Sequence, residues 1–138
     1  MKAEVIITLI TNEIAKLNDH SLEDYSGDTL SRVAVRLANY KAGLGRYVAD
    51  AKRDVWVAEK NYQTARASGY KRLRETMSAT DAKELKILEA DKEYDAFIKA
   101  QEVESALSAL SFNVHDLIDA IKSRLINLQM ERQENGIS

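Results

Sequence analysis

The chain contains no cysteine and no proline in 138 residues. Without cysteine there is no disulfide, no thiol nucleophile and no thiolate metal site, a composition that fits a reducing cytoplasm. Without proline, no helix is forced to break. Histidine is nearly as scarce. His20 and His115 stand isolated, with no placed serine, carboxylate or second histidine for triad chemistry or zinc. None of the five glycines belongs to a phosphate-cradling loop. Long apolar runs are missing too: Ile6–Ile10 is too short for a signal core or a membrane span and is followed by Asn12, Glu13 and Lys16. The expectation is a cytoplasmic protein that is not an enzyme, with no cofactor, no metal and no membrane contact.

What the chain has is helical periodicity. It is 45% hydrophobic and 30% charged, with a mean hydropathy of −0.38, which points to elongated helices in a single domain spanning 1–138. From Leu30 the apolar residues fall at Val33, Leu37, Tyr40, Leu44, Val48, Ala51, Val55, Ala58, Tyr62 and Ala65. Steps of three and four keep one helix face against a partner. The extra four-step from Leu44 to Val48 is a stutter that relaxes supercoiling without ending the helix. Gly43 and Gly45 are its weak point, each costing roughly 1 kcal/mol relative to alanine. This predicts one long helix over 28–68, capped by Asp28 and ended by Ser68-Gly69.

Ahead of it, 2–18 reads as a short helix with Ile7, Ile10, Ile14 and Leu17 on one face; a strand at Val5–Ile7 would have nothing to pair with. Behind it, 69–78 reads as a basic turn, with Ser78 and Thr80 as caps and Asp81 completing a capping-box pattern. A second long helix is predicted over 80–133, with Leu85, Leu88, Ala96, Ala100, Val103, Leu107, Leu110, Val114, Leu117, Ile121, Leu125 and Leu128 in its seam and Asn135-Gly136 at its end. The fold class is therefore all-α: a short helix plus an antiparallel, coiled-coil-like helical hairpin. At ~1.5 Å per residue the second helix, on the order of 80 Å, outruns the first at ~55 Å. Val114, Leu117, Ile118, Ile121, Leu125 and Leu128 would then form an uncovered apolar face, read as an oligomerisation element.

Charge is unevenly placed. Residues 28–74 hold 11 Lys+Arg against 4 Asp+Glu, net +7, between an N-terminal segment of net −3 and a C-terminal one of net −6. A basic helix between acidic segments points to a polyanion. Lys52, Arg53, Trp56 and Lys60 share one flank beside the seam, and Arg46, Arg53 and Lys60 recur every seven residues. Indole amid cations suits single-stranded nucleic acid, with bases on the ring and phosphates on the charges. Arg66 continues the basic helix, and Lys71, Arg72 and Arg74 beside Tyr70 form a second cluster able to clamp a phosphate backbone. The plainer reading has Trp56 packed at an interface, the cations paired with Asp50, Asp54 and Glu59, and the turn merely solvated. Glu89, Asp91, Glu93 and Asp95 lie among Lys86, Lys92 and Lys99 and read as a solvated face.

The C-terminal segment Leu117-Ile118-Asp119-Ala120-Ile121-Lys122-Ser123-Arg124 resembles the same region of the UvsY family of phage recombination mediators. Ala90-Asp91-Lys92, Val57-Ala58-Glu59-Lys60 and Ser68-Gly69 also match family segments, and the length is almost the same. Tyr62 stands where the family has a second basic residue, and Arg66-Ala67 where it has paired tyrosines. The resemblance implies a helical protein that binds single-stranded DNA, assembles into a homo-oligomeric ring, and helps a RecA-like recombinase displace single-strand-binding protein in the host-cell cytoplasm. The rival expectation is a structural coiled-coil adaptor or phage assembly scaffold without a DNA-binding role.

Overall fold

The computed structural model describes residues 2–136, apart from the side chains of Ile87, Leu88 and Glu89. The seam position assigned to Leu88 and the acidic-face position assigned to Glu89 therefore lie outside the described residues. The protein is all-α, as expected: α1 (Ala3–Asn18), a 3₁₀ turn (Leu22–Asp24), α2 (Gly27–Leu73), α3 (Ala79–Glu89) and α4 (Asp91–Gly136). The chain falls into two compact units, one made of 1–47 with 108–138, the other of 48–107. In each unit a stretch of α2 packs along a stretch of α4.

In the first unit the core is Ile6, Ile10 and Leu17 of α1, Leu30, Val33, Leu37 and Leu44 of α2, and Val114, Ile118 and Ile121 of α4, all buried. Each such side chain contributes about 1.5–3 kcal/mol by leaving water. The buried line of α1 is Ile6, Ile10, Glu13 and Leu17. The predicted face is thus corrected by one residue at two positions, Ile7 and Ile14 being only half-buried. Glu13 takes the remaining place because Arg36 of α2 meets it there: Arg36 Nε donates to Glu13 Oε1 at 2.7 Å and Nη2 to Oε2 at 3.3 Å. The carboxylate holds the Arg36 guanidinium above its usual range.

The connection from α1 to α2 closes its own polar groups. The Tyr25 hydroxyl donates to the Lys16 carbonyl at 2.7 Å, at the C-terminal end of α1. Ser21 and Asp24 form a reciprocal cap around the 3₁₀ turn. Ser26, not Asp28, caps α2: its Oγ accepts from the Thr29 amide at 3.1 Å. Asp28 lies inside the first turn and pairs with Arg32 one turn on.

Helix α2 is continuous through Gly43 and Gly45. Every stripe position from Leu30 to Ala65 is buried or half-buried. Ser68-Gly69 does not end it. Gly69 is buried, no glycine has positive φ, and the helix runs on to Leu73 because the stripe continues through Gly69. The predicted basic turn over 69–78 contracts accordingly, Lys71 and Arg72 being helical. Arg74 Nη1 donates to the Met77 carbonyl across the remaining turn, and Ser78 Oγ accepts from the Asp81 amide at 3.3 Å.

The second long helix divides into α3 and α4 at buried Ala90, whose carbonyl accepts from the Tyr94 amide at 2.9 Å, so helical bonding resumes at once. Its predicted seam is partly corrected. Val103 is 55% exposed and Leu85 and Ala96 are also exposed, while the predicted Ala100, Leu107 and Leu110 are half-buried and are joined by Glu93, Phe97, Glu104 and Ser111 in the covered positions leading to Val114. Among the described residues of the second unit the fully covered positions are small (Ala51, Gly69, Ala82 and Ala90), and the larger rings of Tyr62 and Phe97 are only half-covered.

The expected overhang is absent. Helices α2 and α4 have 47 and 46 residues, and a Cβ built on Gly27 would stand 3.7 Å from Leu128 and 3.8 Å from Leu125. The face proposed for assembly is covered inside the chain: Val114, Ile118 and Ile121 are buried, and Leu117, Leu125 and Leu128 half-buried. Among the described residues no helix is long and apolar enough to cross a membrane.

Candidate nucleic-acid interface

The second unit carries the sharpest of the predicted constellations. Trp56, the only tryptophan, is 57% exposed on α2, so it is not a core residue. One turn on, the Lys60 ammonium lies over its ring, 4.3 Å from the centroid. This i, i+4 placement holds a cation against the electron-rich ring face. Lys52 and Arg53 are exposed on the preceding turn. Arg53 reaches Asp50 at 3.5 Å, an exposed pair worth little and easily exchanged for a phosphate. The indole and these cations form one surface able to stack a base and hold the adjoining phosphates.

The other predicted residues do not all join this surface. Arg46 is exposed but belongs to the first unit. Arg66 is half-buried: its guanidinium lies 5.4 Å from the Tyr62 ring centroid, and its Nε is buried without a hydrogen-bond partner. Lys71 and Arg72 are exposed on the last turn of α2, while Arg74 is engaged with the Met77 carbonyl. The turn cations therefore serve the helix end as well as any ligand.

Sequence reasoning missed two arrangements. One is the ring cluster of Tyr62 with Tyr94 at 5.3 Å and Phe97 at 6.2 Å between centroids. Its signal was available: Tyr62 is in the α2 stripe, and an exposed Tyr94 lies three residues before Phe97. The other corrects the reading of His115 as isolated. Its Nδ1 lies 2.9 Å from Lys41 Nζ and its Nε2 lies 3.2 Å from Asp119 Oδ2. The i, i+4 spacing of His115 and Asp119 was visible; the approach of Lys41 from α2 was not. This network ties α2 to α4 in the first unit.

Among the described residues, no group of three or more His, Asp or Glu side chains is placed to hold a metal ion. Compared with protein-family models, curated proteins and solved structures, the chain matches none.

Proposed function

We propose that the protein binds single-stranded DNA without sequence preference and acts as a recombination mediator, helping a RecA-like recombinase load onto DNA covered by single-strand-binding protein. The observation that carries the DNA-binding part is the exposed Trp56 ring with Lys60 seated on it, flanked by Lys52 and Arg53. A buried tryptophan would have served packing. An exposed one with its cation already in place is arranged for a base and its phosphate. The mediator part rests on the resemblance of the segments around Lys60, Asp91 and Ile121 to the phage mediator family. Assembly into a ring belongs to the same proposal, and linked weak sites would multiply each contact. With the predicted oligomerisation residues covered inside the chain, the apolar surface left for a second copy includes Phe112, Ile126 and Met130. These lie close to one face of α4, and Phe112 is 70% exposed.

Titration of a fluorescent oligonucleotide at two salt concentrations tests the reading. Binding should weaken steeply with salt, and changing Arg53 and Lys60 together to alanine should flatten the log–log slope by about 1.4 for single-stranded DNA. Unchanged affinity and slope in a folded double variant would sink it. That outcome would leave the coiled-coil adaptor, which accounts for the seams but not for the Trp56–Lys60 pair. The mediator step is read separately, as faster recombinase ATPase onset on oligonucleotide coated with single-strand-binding protein.

A further inference from the structure

Every cation–ring pair among the described residues falls in the second unit. Lys60 covers Trp56, Arg66 covers Tyr62, and Lys86 covers Tyr70, with the last two at 5.4 and 5.5 Å. Three of the six residues, Trp56, Arg66 and Tyr70, share one stripe of α2. The seam of α2 here runs Val55, Ala58, Tyr62, Ala65, Gly69, and the residue after each member forms a second stripe: Trp56, Glu59, Gln63, Arg66, Tyr70. That stripe repeats in steps of three and four, and so follows the edge of the packed face.

Tyr62 links this edge to α4. Arg66 lies over its ring, while Tyr94 meets it at 5.3 Å, tilted by 55°. Phe97 stacks on it at 6.2 Å and 25°. Tyr62 and Phe97 are half-buried and hold the cluster, whereas Tyr94 is 45% exposed. A tyrosine pinned along one edge has already lost most of its rotamer freedom, so a base stacking on it meets little further entropic cost. Among the described residues, Arg66 and Lys86 have no carboxylate within ion-pair distance; their charge is set against aromatic rings instead.

We propose that Tyr94 is a second base-stacking station for single-stranded nucleic acid, with Arg66 as the neighbouring phosphate contact, so that one strand runs from Trp56 along the edge of α2 to the Tyr62–Tyr94 cluster. This rests on the DNA-binding reading and adds to it a contact from the acidic helix α4. Trp56 and Tyr62 are six residues apart, about 9 Å along the axis, a span that a few nucleotides of one strand cover. Glu59 and Gln63 lie between the two stations on this edge, so the charge that favours this occupant is local to each ring: Lys60 at Trp56 and Arg66 at Tyr62, with every base having a face to stack.

The test uses the full chain with Tyr94→Ala, Tyr94→Phe and Trp56→Ala, each checked for native circular dichroism, and a fluorescent oligothymidylate at low salt. Loss of one stacked base predicts affinity weakened about 5- to 140-fold in Tyr94→Ala and kept within about 3-fold in Tyr94→Phe. If Tyr94→Ala disturbs the fold, crosslinking of the wild-type chain to an iodouracil oligonucleotide, with the joined residue mapped by mass spectrometry, decides instead; Tyr94 among the joined residues supports the proposal, and its absence overturns it. Trp56→Ala weakening binding while folded Tyr94→Ala leaves it unchanged overturns the second station and spares the DNA-binding reading. No wild-type binding, or wild-type binding that Trp56→Ala leaves unchanged, overturns that reading itself.

Discussion

The Glu13–Arg36 pair makes an asymmetric prediction. The Glu13 side chain is 10% exposed and Arg36 is 44% exposed. Arg36→Met leaves the carboxylate in a nearly dry site, without the two donors that satisfied it. A hydrogen bond to a charged group contributes about 1.5–3 kcal/mol, and partial access of water at Arg36 brings the expected loss to about 2 kcal/mol. Glu13→Leu is different. It completes an apolar line with Ile6, Ile10 and Leu17, while Arg36 can turn to solvent, so stability should move by less than about 1 kcal/mol. In the Arg36→Met background Glu13→Leu should then restore much of the loss. Urea unfolding followed by far-ultraviolet circular dichroism on the two single variants and the double variant gives the full cycle. A Glu13→Leu variant costing as much as Arg36→Met would show that the pair itself fixes α1 on α2, and would refute this reasoning. The raised pKa of Arg36 also has a sign. Its contribution is full below the unfolded guanidinium pKa and lost only as pH climbs through the higher folded one. Arg36 therefore adds no slope to stability between pH 6 and 9.

Two further contrasts separate neighbouring positions. Gly45→Ala meets nothing within 4 Å and should stabilise by about 0.5–1 kcal/mol, whereas a Cβ at Gly43 would stand 3.1 Å from Ile6 Cδ1, so Gly43→Ala should yield less; thermal melts rank them, and equal gains would show that Ile6 yields freely. Ile121→Ala should cost about 2–5 kcal/mol because Ile121 is fully buried within the chain, while exposed Phe112→Ser should leave stability within about 0.5 kcal/mol and lower the mass measured by light scattering; an unchanged mass would take Phe112 out of the proposed assembly.

How far the sequence disclosed this fold depended on where glutamate falls. The α2 stripe contains only apolar residues between Leu30 and Ala65, and every one of its positions is buried or half-buried. On α1 and α4 the covered line passes through acids, Glu13 and Glu104. Reading by hydrophobicity put Ile14 and Val103 on those faces instead. On α4 two lines compete because Ala100, Leu107, Val114 and Ile121 belong to both; they differ at 103 or 104, 110 or 111, and 117 or 118. Only the partner helix decides between them. The place of Tyr94 is hidden in the sequence for a related reason. Its role follows from the ring it meets on α2, and no spacing along α4 shows that ring. Trp56, by contrast, was marked by its own neighbours at i−4 and i+4.

Three of the pairs that α2 makes with the helices after it share a centre. Tyr70 meets Lys86, Tyr62 meets Tyr94 and Lys41 meets His115, each pair symmetric about residue 78, so the contacts span 16, 32 and 74 positions of chain. Contacts this ordered offer a zipper route to the native state. Closing the shortest loop costs least entropy, and each pair formed shortens the effective loop for the next. The 48–107 unit is a contiguous piece of chain, whereas the other unit joins segments separated by it. The hairpin around Ser78 would thus be the natural nucleus, and the α1-bearing unit the last to close, although Ile10, Leu30, Leu37, Leu44 and Ile121 are fully buried there. Local sequence separation, more than depth of burial, would set the order of events.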